Sequence, residues 1–459
     1  GAVEMTEVIG RSGDQYVERL AAGLTGDDRR HTTLLVSGLT LAQDRFVSAA
    51  LGAYGFRVTV LDVPDNAALH MGKEFGNRGQ CNPTYFTVGN LLKFLFLLRD
   101  RHGLTTEEII RDYAFVTAGA CGPCRFGTYV TEYRKALRDS GFEGFRVLTV
   151  SQTAEGNQSV LGETGRFASL AMYRHAITAL VLGDILNARM YAIRPYEKVP
   201  GETDRVIAQC RDDLELALSQ RRSLLAAARR CGRRLGAIGM DRSLRKPRVA
   251  ILGEFWAMTT EGDGNYHLQR YLESQGAEVD IQLVTAWFLY LIWQGRNDTR
   301  KRQALREQDS AGRGLLGTSP WRKRLLLGIS QQLLLGTFFL FARCMGLRGY
   351  SFTDMDELAA LSQSFYDTDL RGGEGHMEVG KVILNALKPD THMTISVKPF
   401  GCMPSSAVSD GVQSKIVELY PDLVYLPIET TGDGAVNVYS RIQMQLHRAR
   451  KLAESHSPP

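Results

Sequence analysis

Short apolar runs alternate with amphipathic stretches through the first third of the chain. Residues 32–38 form an apolar run that ends in Gly38, residues 41–54 carry apolar positions at helical spacing, and residues 57–62 form a second apolar run. These patterns predict a strand, a helix and a strand. Such alternation is typical of a parallel sheet covered by helices. The same order returns further along the chain, as a predicted strand, helix and strand at 114–119, 129–140 and 145–151.

The pattern changes to long helical periods between Phe167 and about Gly236. Residues 173–191 and 203–234 repeat apolar positions at helical spacing, with no strand-like run between them. We predict that the arginines of the second period form a solvent-exposed helix face, with an acidic partner as the alternative. These arginines come in pairs, as Arg221-Arg222, Arg229-Arg230 and Arg233-Arg234.

Strand and helix patterns alternate again from Pro247 onward. Strands are predicted at 248–254, 278–284, 393–398 and 423–427, and helices at 267–275, 408–420 and 435–453. The chain is too long for one compact core, so the sequence predicts two doubly wound, Rossmann-like α/β lobes with parallel sheets, joined by a helical segment. The expected division is an N-terminal extension, an N-terminal lobe, a helical connector and a C-terminal lobe, at residues 1–27, 28–200, 201–246 and 247–459.

One strongly apolar stretch, residues 325–347, follows a tryptophan and three basic residues at 321–324. Polar residues from Ser330 to Gln332, together with Arg343, interrupt the stretch. Polar and charged groups of this kind are costly inside a bilayer. We therefore predict a core helix and no transmembrane segment, with a peripheral membrane helix as the alternative.

Composition and charge are those of an ordinary soluble protein, with 44% apolar residues, 23% charged residues and a net charge of +5. So small a charge gives no reason to expect nucleic acid, because nucleic-acid binders concentrate Lys and Arg on one face. The first ten residues lack a basic region followed by an apolar core, so we expect no secretory signal and a cytoplasmic protein. In that reducing compartment, clustered thiols are more often metal ligands or redox groups than disulfides.

Four of the seven cysteines lie among Gly and Pro, at turns that lead into predicted helices. In doubly wound sheets, ligands bind at the carboxyl edge of the strands, where helix N-termini favour negative charge. Thiolates are the usual ligands of iron–sulfur clusters, so the sequence predicts one metal or iron–sulfur site. The predicted ligands are Cys81, Cys121, Cys124 and Cys402, whereas Cys210, Cys231 and Cys344 are predicted to be packing residues.

Two other kinds of site fit part of this pattern. Zinc accepts four cysteines, but structural zinc sites usually have two close pairs, and this chain has one. Cys121-Gly-Pro-Cys124 is also the tetrapeptide of thioredoxins, which leaves a dithiol site open. Against the dithiol site, no tryptophan precedes the motif, and Cys81 and Cys402 have no role in it.

Several signatures of phosphate binding and hydrolysis are missing from the sequence. It contains no Walker A sequence, no H-E-x-x-H and no G-x-S-x-G. Gly262-Asp-Gly264 and Gly432-Asp-Gly434 are predicted to be turns or helix caps rather than phosphate cradles. If ATP is involved, we expect it to bind another protein.

Taken in order, seven short motifs resemble the 2-hydroxyacyl-CoA dehydratase and acyl-CoA dehydratase activase-related superfamily. The chain is most similar to the cysteine-bearing C-terminal part of the large activase-related proteins, from about residue 33 onward. Unlike those proteins, it is expected to lack fused ATPase domains. The motifs are Gln80-Cys81-Asn-Pro83, Ala120-Cys121-Gly-Pro-Cys124-Arg-Phe-Gly127, Arg194-Pro-Tyr-Glu197, Gly253-Glu254, Gly373-Glu374-Gly-His376, Pro399-Phe-Gly-Cys402-Met-Pro404 and Asp433-Gly434.

The resemblance implies a low-potential [4Fe-4S] or related cluster between the lobes, and a separate ATPase activator of the acetate kinase and heat-shock-70 fold that delivers an electron to it. It also implies a homodimer or a second dehydratase-like subunit. The chain is then an iron–sulfur reductase, a 2-hydroxyacyl-CoA dehydratase-like lyase or an electron carrier, acting for a CoA thioester or another small substrate. The alternatives are a metal-carrying scaffold or maturation protein without turnover, and a thiol–disulfide oxidoreductase that uses Cys121 and Cys124.

Glu374 and His376 are the predicted catalytic residues. In that interpretation they lie near the cluster and handle protons or tune its potential. The alternative is a Gly-rich turn with a surface histidine. Arg125 either offsets the charge of the cluster or faces solvent at a helix start, and Trp256 and Tyr266 are expected in the core.

Overall fold

The chain folds into two α/β lobes, each built on a four-stranded parallel sheet. The computed structural model describes residues 31–119, 124–151, 169–308, 319–370, 374–405 and 410–455. The N-terminal sheet contains β1 (Thr33–Val36), β2 (Arg57–Val60), β3 (Tyr113–Gly119) and β4 (Arg146–Ser151). The C-terminal sheet contains β5 (Arg248–Gly253), β6 (Glu278–Ile281), β7 (Met393–Pro399) and β8 (Tyr425–Thr430).

Both sheets have the same doubly wound strand order, β2-β1-β3-β4 in the N-terminal lobe and β6-β5-β7-β8 in the C-terminal lobe. All the strand pairs are parallel, with Val36 paired to Val116 in one sheet and Gly253 to Val397 in the other. The chain winds outward in one direction from β1 to β2 and in the opposite direction from β3 to β4, so the direction reverses between β1 and β3. It reverses in the same way between β5 and β7. Each sheet therefore opens a crevice at its carboxyl edge between those two strands, which is where doubly wound folds bind ligands.

Helices connect the strands of each lobe and link one lobe to the other. In the N-terminal lobe they are α1 (Leu41–Gly52), α2 (Asn66–Phe75), α3 (Asn82–Asp100), α4 (Thr106–Asp112) and α5 (Tyr129–Asp139). The linking helices are α6 (Leu170–Ile193), α7 (Glu202–Ser219) and α8 (Leu224–Gly236). The C-terminal lobe adds α9 (Phe255–Thr259), α10 (Leu268–Ser274), α11 (Val284–Gln308), α12 (Pro320–Cys344), α13 (Met355–Ser362), α14 (His376–Leu387), α15 (Asp410–Leu419) and α16 (Ala435–Ser455).

The predicted helical period at 203–234 is two helices rather than one. Helix α7 ends at Ser219, and Arg221 adopts a positive φ of 51° before Ser223 caps α8 by accepting the Ala226 N–H. A left-handed residue cannot continue an α-helix, so the apolar spacing carries on while the backbone turns. The exposed arginine face is confirmed for Arg221, Arg222, Arg229 and Arg233.

Helix α12 is not the core helix that the sequence predicts. Only Leu334, Phe338, Phe341 and Ala342 are buried along its 25 residues, and the most apolar window of the helix is just 22% buried. Within the described part of the chain, α12 and the segment Leu170–Tyr196 are the two helices long and apolar enough to cross a membrane, and the latter is 67% buried. Hydropathy measures how apolar a helix is, and it does not report which of its faces a neighbour covers.

One hydrophobic core runs through both lobes. It contains Phe46 and Phe86 from the N-terminal lobe and Ile395 from the C-terminal sheet. The rings of Phe86 and Trp256 lie 5.4 Å apart, which joins α3 to α9 across the lobes. Trp256 and Tyr266 are 8% and 4% exposed, which confirms their predicted place in the core.

The two Gly-Asp-Gly sequences are turns, as predicted, and both pack against the N-terminal lobe. The Asp263 carboxylate accepts the backbone N–H of Asn66 at 2.9 Å, at the first residue of α2. A Cβ atom on Gly432 would lie 2.2 Å from the Leu69 side chain, so only glycine allows this close approach. Both turns therefore help to hold the lobes together.

Asp44 is a buried carboxyl at the start of α1. Its side chain is 8% exposed and accepts the Leu39 N–H at 3.3 Å. Burial raises the pKa of Asp44 to about 7, from an ordinary value of 3.8. The folded protein therefore holds a proton that the unfolded chain releases, so this group stabilises the fold below pH 4 and loses that contribution as the pH rises through 7.

We expect the Asp44→Asn variant to flatten the pH dependence of stability. Between pH 5 and pH 8 the free energy of unfolding of the unsubstituted protein should fall by about 2 kcal/mol more than that of the variant, because asparagine has no proton to lose. Urea titrations at pH 5, 6.5 and 8 measure the difference. Equal slopes for the two proteins would show that Asp44 is already ionised in the folded state.

Candidate metal centre

Two of the predicted ligands, Cys124 and Cys402, follow strands at the crevices of the two sheets. Cys124 lies beyond the end of β3, just before a short 3-10 helix at Arg125–Thr128. Cys402 lies three residues beyond the end of β7, and Cys81 is the N-cap residue of α3. Cys121 lies outside the described residues. The topology therefore directs Cys124 and Cys402 to the carboxyl edges of the sheets, as the sequence predicts.

The turn after β7 lies directly against the start of α3. The backbone N–H of Asn82 donates to the carbonyl oxygen of Phe400 at 3.1 Å, and the Asn82 side chain donates to the Thr430 carbonyl at 2.6 Å. A Cβ atom on Gly401 would lie 3.2 Å from the Cα atom of Cys81. Cys81 and the residue that precedes Cys402 are thus in contact, and the two lobes meet at this point.

A repeated sequence, Cys-x-Pro-Ser/Thr, places a hydroxyl group beside each of these two thiols. In Cys81-Asn-Pro-Thr84 the sulfur lies 3.2 Å from Thr84 Oγ1, and in Cys402-Met-Pro-Ser405 it accepts Ser405 Oγ at 3.3 Å. Cysteine at the N-cap puts the residue three positions later on the same side of the first turn. This repeat was not among the sequence-based predictions, although the common spacing of the two motifs signals it.

Further donors surround the sulfur atoms. The Tyr129 hydroxyl lies 3.2 Å from the Cys81 sulfur, and backbone N–H groups of Phe126 and Ser405 point at Cys124 and Cys402. Hydrogen bonds of this kind favour the thiolate form. Each of these thiols therefore has at least one neighbour that can support a charged sulfur.

Burial nevertheless keeps two of the thiols protonated when no cation is bound. The pKa of Cys124 is raised to about 12, first by burial and then by the charges of Glu254, Glu374 and Cys81. The pKa of Cys402 is raised further, again by burial and by Glu254. In a dithiol site of this kind the first cysteine is the nucleophile, and Cys121 lies outside the described residues, so the raised pKa of Cys124 leaves the thiol–disulfide alternative open.

Buried carboxyl groups complete the site. Glu254 lies directly after β5 and is the N-cap residue of α9. Its carboxylate accepts the Ala257 N–H at 2.8 Å. The Glu374 carboxylate accepts the Phe255 N–H at 2.5 Å and is 7% exposed. Burial raises the pKa of Glu254 to about 7, and burial and the charge of Glu254 raise that of Glu374 well above its usual range. At least one of the two therefore holds a proton near neutral pH.

Of the two predicted catalytic residues, Glu374 joins the thiols and His376 lies apart. The surface-histidine interpretation is wrong, because His376 is only 1% exposed and packs against the rings of Trp293 and Tyr290 at 4.6 and 5.6 Å. Burial lowers the pKa of His376 to about 4, so its imidazole is neutral. Its Nε2 atom has no hydrogen-bond partner among the described residues, and no described contact connects it to a thiol.

The remaining singled-out residues have structural surroundings. Arg125 is half-buried beside Cys124. Arg194 is buried and pairs with Glu273 at 2.6 Å, so the Arg-Pro-Tyr-Glu motif stabilises the linking helices. The three cysteines predicted to pack do so, since Cys210 and Cys231 are fully buried in the core and Cys344 is half-buried against it.

The described residues do not form a site for a single metal ion. In the described part of the chain, no group of three or more His, Cys, Asp or Glu side chains is close enough to hold one metal ion. In a cluster each thiolate binds a different iron, so the sulfurs do not have to share one ion. Buried thiols with hydrogen-bond donors, drawn from both lobes, fit such a group.

Comparisons with known proteins do not add an identity. No protein-family model matches the chain, and no curated protein matches it. The similarity to the dehydratase and activase-related superfamily therefore rests on the seven motifs alone. The Rossmann-like α/β fold of both lobes is established by the structure.

Proposed function

We propose that this chain is an iron–sulfur protein that binds one [4Fe-4S] or related cluster between its lobes through Cys81, Cys121, Cys124 and Cys402. The observation that carries this proposal is the contact between the turn that leads to Cys402 and the backbone of Cys81. Backbone segments that carry cysteines of opposite lobes meet there, and each of these two sulfurs has a hydroxyl neighbour. A bound cluster supplies one-electron transfer at a low potential.

The surrounding side chains prepare the site for charge. Hydroxyl groups of Thr84, Tyr129 and Ser405 stabilise thiolate ligands and limit solvent access to them. At least one of the Glu254 and Glu374 carboxyl groups holds a proton close to the sulfurs. A proton held there compensates negative charge when an electron arrives, so these carboxyls control how easily the site is reduced.

The role we propose is that of the cluster-bearing component of an ATP-dependent redox system. Four cysteine ligands leave no iron open for substrate, which favours electron transfer over direct substrate chemistry. The resemblance implies a separate ATPase of the acetate kinase and heat-shock-70 fold, which is the proposed electron donor. Reduction of a CoA thioester, or of another small substrate, would then take place on a partner or on a second dehydratase-like subunit.

Iron and acid-labile sulfide content, measured on protein purified and reconstituted without oxygen, tests the proposal. We expect about four irons and four sulfides per chain, with a broad absorption band near roughly 400 nm that bleaches on reduction. A colourless protein that contains one zinc, or no metal after reconstitution, would refute it. A loaded cluster that no low-potential reductant reduces would instead support the scaffold or maturation alternative.

A further inference from the structure

Helix α12 presents an apolar face that no described part of the chain covers. Trp321, Leu326 and Leu333 are 64%, 63% and 66% exposed, although they belong to a regular 25-residue helix. Monomeric soluble proteins rarely expose a contiguous apolar surface of this kind, and one that exists usually marks an interaction site. The large apolar residues exposed on α12 are Trp321, Leu325, Leu326, Ile329, Leu333, Phe339 and Leu340.

Four of these seven exposed residues lie in one stripe along the helix: Leu326, Ile329, Leu333 and Leu340. Positions 322, 326, 329, 333, 336, 340 and 343 recur at alternating intervals of four and three residues, which places them on one face. The opposite face is buried through Phe338, whose ring packs 4.6 Å from that of Phe352. Helix α12 is thus fixed to the protein along one side and open along the other, so it can lie on a surface but cannot cross a membrane without leaving its packing.

The ends of the stripe are basic. Arg322, Lys323 and Arg324 are exposed at the start of the helix and Arg343 is exposed near its end, and residues 320–344 include no Asp or Glu. The guanidinium group of Arg322 lies 5.5 Å from the ring of Trp321, and no ion pair within the described residues neutralises these four cations. A partner for this face needs an apolar region that contacts its centre and negative charge that contacts its ends.

A second copy of this chain does not match that pattern. If two α12 helices paired in antiparallel fashion about the middle of the stripe, Arg322 of each copy would meet Arg343 of the other. If they paired in parallel, each arginine would meet its own equivalent. Both arrangements bring like charges together at the ends of an apolar contact, which is unfavourable.

An anionic lipid surface matches both features. Leucine, phenylalanine and tryptophan side chains insert at the boundary of headgroups and acyl chains, and lysine and arginine side chains pair with anionic headgroups. Tryptophan is also enriched at that boundary, and Trp321 lies beside the basic cluster. We propose that the open face of α12 docks this protein on the surface of a membrane that contains anionic phospholipid.

Flotation of the full-length protein with lipid vesicles tests the proposal. We expect binding to vesicles of phosphatidylcholine with phosphatidylglycerol, and little binding to phosphatidylcholine alone. Replacing Arg322, Lys323 and Arg324 together by glutamine should weaken binding to the anionic vesicles by roughly a hundredfold, because each basic residue contributes about fivefold near such a surface. Raising the salt concentration should weaken the unsubstituted protein in the same direction.

The double variant Leu326→Gln and Leu333→Gln should abolish vesicle binding without unfolding the protein, because both side chains are exposed. Val436→Gln with Met444→Gln is the matched control, since those residues are 83% and 62% exposed on α16. The control should bind vesicles normally.

Three results would overturn the proposal. One is the absence of binding to anionic vesicles by a folded protein. Another is equal binding to neutral and anionic vesicles that the triple glutamine variant does not change. The third is a stable dimer in sedimentation equilibrium that the Leu326 and Leu333 changes dissociate, since that would assign the face to a second copy. None of these readouts depends on a bound cluster, so failure here leaves the proposed function standing.

Discussion

Replacing Cys402 by alanine is expected to abolish iron–sulfur loading of the anaerobically reconstituted protein, whereas Cys344→Ala should load as the unsubstituted protein does. Cys402 is 6% exposed and receives donors from Ser405, while Cys344 is half-buried at the end of α12, away from the site. Loss of a hydrogen-bond partner of a ligand typically costs ten- to a hundredfold in metal affinity, so loss of a ligand should cost more.

The same loss is expected for Cys81→Ala and Cys124→Ala, measured as iron and sulfide per chain and as the electron paramagnetic resonance signal after reduction. Circular dichroism shows whether each variant is folded, and Cys402→Ser preserves the side-chain volume if alanine destabilises the turn. Unchanged iron content in the Cys402 variants would contradict the proposed ligand set. A colourless protein whose activity depends on Cys121 and Cys124 alone would establish the dithiol alternative.

Replacing Asp184 by alanine is expected to give the largest loss of stability in this chain. The Asp184 carboxylate accepts four hydrogen bonds: from the Gln43 side chain at 2.9 Å, from Val284 N–H at 3.0 Å, and from the N–H and hydroxyl of Thr285, both at 2.6 Å. It therefore connects α1, α6 and the start of α11, and it is only 2% exposed. Without it, buried donors on two helices lose their acceptor.

We expect the Asp184→Ala change to lower the free energy of unfolding by about 4 kcal/mol, because removing one partner from a buried charged network usually costs 3–5 kcal/mol. Asp184→Asn keeps one acceptor oxygen and should lose about half as much. The matched control is Asp212→Ala, which breaks an ion pair with Arg45. Because the Asp212 side chain is 66% exposed, this change should alter the free energy of unfolding by less than about 1 kcal/mol. Urea denaturation measures all three, and a change below 1 kcal/mol for Asp184→Ala would contradict this role.

Strands and helices were predictable because their signals are local. Strand β1 at Thr33–Val36 and helix α5 at Tyr129–Asp139 lie within two residues of their predicted positions. Strand β6 is shorter than predicted, ending at Ile281, because the apolar residues that follow begin α11 at Val284. An apolar run is compatible with a strand or with a buried helix, and only the neighbouring structure decides between them.

The site was predictable in part for the same reason. Cysteines beside Gly and Pro at helix starts identify residues that face the carboxyl edge of a parallel sheet. The burial of His376 and the approach of Glu374 to the thiols were not predictable, because both depend on α14 packing against α11 and on the turn after β5. Spacing along the chain has no information about such contacts.

The sequence by itself determined the order of strands and helices, the Rossmann-like class of both lobes and the turns that carry cysteine. Hydrophobic periodicity and turn chemistry act between residues that are close along the chain, so a single sequence displays them. Only the tertiary structure decided which turns meet, as when the Asn82 side chain bonds to Thr430, 348 positions away. It also decided which face of α12 stays open, because burial depends on all the surfaces that pack together and not on the composition of one helix.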